Sequence, residues 1–161
     1  VRILGIDPGL ATVGLGLIEA TGPQTCTAID WWAIRTASSL TLPERLGEIT
    51  TDLRAILVEA TPALAVVERV FFAVNEQSAI DVAQARGAII ATLTEAGIRV
   101  LEVTPMQLKH AITGDGSADK LQVQTMVQRL LQLDALPRPV DCADALGLAL
   151  YGALAGNSAL A

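Results

Sequence analysis

Apolar and polar positions change period along the chain, and the change divides it into regions. Residues 2–7 (RILGID) form a short apolar run. In 12–20 (TVGLGLIEA), Val13, Leu15 and Leu17 fall on one side, and 25–36 (TCTAIDWWAIRT) is rich in Ile, Thr and Trp. These features predict three strands. The short links PGLA and TGPQ carry turn residues, so antiparallel hairpins join the strands into a meander. From Thr41 the spacing turns helical. Leu46, Ile49, Leu53, Ile56 and Leu57 recur three or four apart as far as Pro62, behind a candidate N-cap at Thr41 with Pro43 and Glu44 in the first turn. ALAVVE then reads as a short buried strand, residues 75–97 as a long helix closed by Gly97, and IRVLEV as a strand stopped by Thr104 and Pro105. Strand, helix, strand, helix, strand implies parallel right-handed crossovers, hence a mixed sheet in an α/β fold. The last third reads as helical: a short helix in PMQLKHAI, a Gly-rich loop TGDGSADK, an amphipathic helix LQVQTMVQRLLQL and a final apolar helix PVDCADALGLALYGALAG.

No repeat, low-complexity tract or linker interrupts this pattern, and 161 residues suit one domain with a proper core, so a single domain over 1–161 is expected. Hydrophobic residues make up 52% and charged residues 17%, which excludes a disordered chain. No apolar run reaches the roughly 18 residues of a membrane span, and no basic, leader-like start is present, so a cytoplasmic location is expected. Cys26 and Cys142 are too few for a disulfide framework or zinc cluster.

The chemistry begins with the stretch ILGIDPGLATVGLGLIE, where Asp7 ends an apolar strand just before Pro8 and Gly9. Alone, Asp-Pro-Gly suits a tight turn. Glu68 likewise ends ALAVVE, and Asp141 and Asp144 occupy the first turns of the final helix, where the helix dipole favours negative charge. Together they are harder to dismiss. The reactive crevice of an open α/β sheet lies beyond the carboxyl ends of its parallel strands, where Asp7 and Glu68 sit. Asp141 and Asp144, spaced i, i+3, share a helix face. Four carboxylates at one point repel one another and call for hard cations such as Mg or Mn. Two such ions suit in-line hydrolysis of a phosphodiester, with one activating water and the other stabilising the leaving oxygen. The net charge of −6 does not exclude nucleic acid, because four of the seventeen acids belong to this cluster.

GIDPGLATVG, VERVFF, QARG, GDGSADKLQV and DCADALGLAL, in this order and spacing, resemble the RuvC family of Holliday-junction resolvases over essentially the whole chain. The resemblance implies an RNase H-like fold with a five-stranded mixed sheet, strand order 3-2-1-4-5 and helices on both faces. It places the family's metal-binding acids on Asp7, Glu68, Asp141 and Asp144, with some members carrying His at the position of Asp141. Phe71 matches an aromatic that stacks on bases at the junction. Lys109 and Lys120, the only lysines, match lysines near the scissile phosphate. Lys120 follows GDGS at a helix start, where N–H groups and an ammonium can hold a phosphate together. Arg69 and Arg86 are further candidates for contacts to the DNA backbone. Val74 stands where some relatives have a Lys before the Asn. His110 is given no role.

Resemblance also implies the biology: symmetric nicking of two opposing strands of a four-way DNA junction during recombination and repair, leaving 5′-phosphate and 3′-hydroxyl ends. A junction's two-fold symmetry suits a C₂ homodimer, and the helix with Ile80, Ala83, Gly87, Ile90 and Ala91 resembles the family's dimer helix. A branch-migration motor is the implied partner. An RNA-processing nuclease of the same fold and a non-catalytic junction-binding module are the alternatives. A sugar-kinase or actin-like ATPase needs a second large domain, for which the chain has no room.

Overall fold

A computed structural model describes residues 1–22, 24–69 and 76–156. The meander forms as expected from β1 (Arg2–Asp7), β2 (Thr12–Gly22) and β3 (Thr25–Arg35), antiparallel throughout. Helix α1 (Leu42–Ala60) follows, then β4 (Leu64–Glu68), α2 (Glu76–Glu95) and β5 (Arg99–Val103), and the helices α3 (Pro105–Thr113), α4 (Lys120–Leu130) and α5 (Val140–Ala155) complete the chain. The sheet runs β3-β2-β1-β4-β5, with β4 parallel to both β1 and β5. Both crossovers predicted from periodicity are therefore present.

Local sequence explains where the helices start. Thr41 and Glu44 form a reciprocal capping box on α1, Thr104 and Gln107 one on α3, and Asp119 and Gln122 one on α4. Gly114, at φ 79°, takes the left-handed position that ends α3.

Side chains alternate across the sheet and give its faces different contents. Leu4 and Ile6 of β1, Val13, Leu15 and Leu17 of β2, and Ala65 and Val67 of β4 point to one face, where they are buried with Ile49, Leu53 and Leu57 of α1 and Ala85, Ile89 and Leu93 of α2. Ile3, Ile18, Leu64 and Val66 point to the other, with Leu108 and Ile112 of α3, Val127 of α4 and Leu146 and Leu150 of α5. On that second face the alternation puts Gly5 and Asp7 in β1, Gly14 and Gly16 in β2, and Glu68 at the end of β4.

The glycines set the depth at which α5 lies. A Cβ at Gly5 would stand 1.8 Å from the Ala145 carbonyl oxygen, and one at Gly14 would stand 2.2 Å from that of Asp141. Helix and strands are in direct main-chain contact, which only glycine permits here.

A candidate acidic site at the carboxyl edge of the sheet

The parallel ladder between β1 and β4 ends at the pair Ile6–Val67. Asp7 and Glu68 lie one residue further along each strand, side by side at the carboxyl edge. Asp144 comes to the same place on α5, which the glycine track holds against β1 and β2. Asp7, Glu68 and Asp144 line one cavity of about 260 Å³, together with Lys109 of α3 and Lys120 of α4. Leu108, Val123, Val127 and Leu148 add apolar lining to the same cavity.

Electrostatics bind these residues together. Burial, followed by the negative charges of Asp144, Glu68 and Asp141, pushes Asp7 up to about 8, against the opposing Lys120 ammonium. Burial and then Asp144 also raise Glu68, opposed by Lys120 and Lys109. The Lys120 ammonium donates to Asp144 Oδ2 at 2.9 Å, a contact that raises its own pKa and counters its partial burial. Two lysines face this cluster of acids and only Lys120 is paired with one of them, which leaves the site short of positive charge.

That shortage is the test of whether a metal fits. The donors are carboxylate oxygens, which suit hard divalent cations, and a cation would offset the burial and the repulsion that raise the Asp7 pKa. The residues fit the ion. Among the described residues, however, no three acid, His or Cys side chains are gathered into a finished cage. Three of the four expected acids line the cavity, and the fourth stands beside them. Asp141 sits in the first turn of α5 with its main chain against Gly14, and its charge acts on Asp7 and Lys120. Asp7, Glu68 and Asp144 are the cavity's acid walls.

The basic candidates are placed unequally too. Lys109 and Lys120 stand at the cavity. At the start of α4 the Asp119 side chain accepts from the Gln122 N–H, while the Lys120 ammonium, largely exposed, is paired with Asp144. Arg69, mostly exposed, follows Glu68 directly and lies 4.0 Å from Glu102. Arg86 is directed inward: its Nε donates to the Glu68 carbonyl oxygen at 2.8 Å, and its guanidinium also pairs with Glu102. Phe71 and Val74 lie outside the described residues.

The family model for crossover junction endodeoxyribonuclease RuvC matches residues 3–151. The chain belongs to the RuvC family. Members from Synechococcus and Syntrophomonas wolfei, each named crossover junction endodeoxyribonuclease RuvC, are 49% and 47% identical to it, over 94% and 92% of this chain and 97% and 86% of theirs. A Thermus thermophilus RuvC solved in complex with a Holliday junction substrate superposes with a TM-score of 0.92 at 34% identity, covering 98% of this chain and 96% of that one. RuvC structures thus share the five-stranded mixed sheet and its helices, so the fold is RNase H-like. The RuvC nucleases are endonucleases and metal-dependent.

What sequence reasoning missed is the support of the acids. The glycines on which α5 lies, the capping role of Asp119 and the inward turn of Arg86 were not foreseen. A signal existed for the first: Gly14 and Gly16 alternate with Val13, Leu15 and Leu17, so the residues opposite an apolar face are side-chain-free.

Proposed function

We infer that residues 1–161 form one nuclease domain that resolves Holliday junctions by nicking two opposing strands symmetrically, leaving 5′-phosphate and 3′-hydroxyl ends. The observation that carries this reading is the convergence of Asp7, Glu68 and Asp144 on one cavity at the carboxyl edge, in a chain whose relatives are crossover junction endodeoxyribonucleases.

In this reading Asp7, Glu68 and Asp144 hold divalent metal, Mg or Mn, with two ions per site, and Asp141 adds its charge beside Asp7. The metal, when bound, supplies an activated water and charge stabilisation at the scissile phosphate. The protein's own groups do the rest. Asp7 and Glu68 are fixed by adjacent strands and so present their oxygens at a set spacing. The apolar lining limits water around the charged groups and strengthens their electrostatics. Lys109 and Lys120 supply ammonium groups for phosphate oxygens. Phe71 stacks on a junction base, and the exposed Arg69 meets the DNA backbone.

The junction's symmetry favours a homodimer through α2. Support comes from the solvent side of that helix, where Ile80 is half exposed and Ala83, Gly87 and Ala91 are exposed, while Ala85, Ile89 and Leu93 face the core. A Cβ on Gly87 would meet nothing within 4 Å, so the stripe is open to a second helix. A cytoplasmic setting beside a branch-migration motor completes the proposal. No helix among the described residues is long and apolar enough to cross a membrane.

The test offers the protein a mobile four-way junction, a linear duplex and an RNA–DNA hybrid, each with Mg or Mn. Paired nicks at symmetric positions in the junction, with the other substrates intact, are expected. Preferential cutting of the hybrid would favour the RNA-processing alternative, and binding without cutting would favour the binding module.

A further inference from the structure

Arg86 has two partners, and one of them is the main chain of an acid at the site. Its Nε donates to the main-chain carbonyl of Glu68 at 2.8 Å, and the same guanidinium pairs with Glu102 on β5. Its side chain is only 18% exposed, so this is a partly desolvated contact and not a loose surface pair. The carbonyl it grips belongs to the last residue of β4, beyond the final pair of the β1–β4 ladder. On the β5 side the strand end is held by the Arg69 N–H, which donates to the Val103 carbonyl at 2.8 Å. A planar guanidinium can hold a carbonyl and a carboxylate at once, which an ammonium on a flexible stem does less well.

We propose that Arg86 is a positioning residue for Glu68. It reaches from α2 to the end of β4 and fixes the main chain from which the Glu68 carboxylate projects, while Glu102 fixes the guanidinium. The inference rests on the reading of Glu68 as a metal-holding acid. It replaces the expectation that Arg86 touches DNA. It also connects α2, the helix read above as the dimer face, to the acid cluster through one side chain.

The experiment measures two affinities on the same folded variants. Mn²⁺ binding to the DNA-free protein is followed by the EPR signal of the free ion, and four-way junction binding is followed by gel shift in chelator. Removing an outer partner of a metal ligand typically costs about 10- to 100-fold in metal affinity. R86Q and E102Q are therefore expected to weaken Mn²⁺ binding about 10-fold while junction affinity is unchanged, and R86K is expected to fall between them and the parent. Should R86Q fail to fold by circular dichroism, E102Q carries the test, since Glu102 is partly exposed. Parental Mn²⁺ affinity in folded E102Q and R86K, or lost junction affinity with Mn²⁺ binding intact, would overturn the proposal. E68Q serves as the control: if it binds Mn²⁺ as the parent does, the reading of the acids falls, and this proposal with it.

Discussion

The two faces of the sheet are built on opposite principles. Under α1 and α2, the central strands carry side chains at their inward positions, and Leu4, Ile6, Leu15 and Val67 meet Ile49, Leu53 and Ile89 in an apolar layer. Under α5, the central strands β1 and β2 give up side chains at Gly5, Gly14 and Gly16, so the helix touches their main chain, and β1 and its neighbour β4 end in the acids Asp7 and Glu68. Both faces contribute stability by burying apolar area, and the first does so through an unbroken row of side chains. The other gives up some of that area to bring Asp141 and Asp144 on α5 within electrostatic reach of Asp7. Precision and stability are thus separated by a single layer of backbone.

Substitutions on each face should fail differently. The largest effect is expected from Asp7→Asn: junction cleavage falls on the order of a thousandfold in a gel assay, while binding persists, because the acid serves metal more than DNA. The same variant should melt higher than the parent in metal-free buffer at pH 8, since it removes a buried charge among like charges. Leu53→Ala on the other face should lower unfolding free energy in urea by about 2–5 kcal/mol and leave the metal requirement of cleavage unchanged. Gly14→Ala should do both in smaller measure. Its methyl meets the Asp141 carbonyl, so stability falls by about 1–3 kcal/mol and cleavage falls with it as α5 is pushed away.

Acidity sharpens the contrast. Asp7 keeps its proton in the folded protein up to about 8 but releases it near 3.8 when unfolded. Between those values the native state binds more protons, so stability drops as pH rises, by up to roughly 1.4 kcal/mol per pH unit. Glu68 is shifted in the same direction. Thermal melts from pH 5 to 8 should show this slope in chelator and a flatter one in millimolar Mg²⁺. The smallest effect is expected at Lys120. Lys120→Ala should weaken junction binding and lower the slope of log affinity against log salt by about 0.9, the value for one phosphate.

Much of this was legible in the residues. Strand and helix periods were strong, the caps at Thr41 and Gly97 were conventional, and the acids stood at strand ends and helix starts, where α/β sheets gather their chemistry. The resemblance supplied the strand order, which periodicity leaves open because it does not say which strands are neighbours. The pairings of charged side chains were not legible. Only the folded chain shows Arg86, largely buried, gripping the Glu68 carbonyl and Lys120, still exposed, paired with Asp144. Such pairings join residues 18 and 24 positions apart, beyond the reach of any local pattern.

The most direct measurement is anomalous diffraction from crystals of the protein soaked in Mn²⁺. A peak in the cavity walled by Asp7, Glu68 and Asp144, lost in Asp7→Asn crystals, is the predicted result. A cavity without a peak at saturating Mn²⁺, or a peak that persists in the Asp7→Asn crystals, would contradict it.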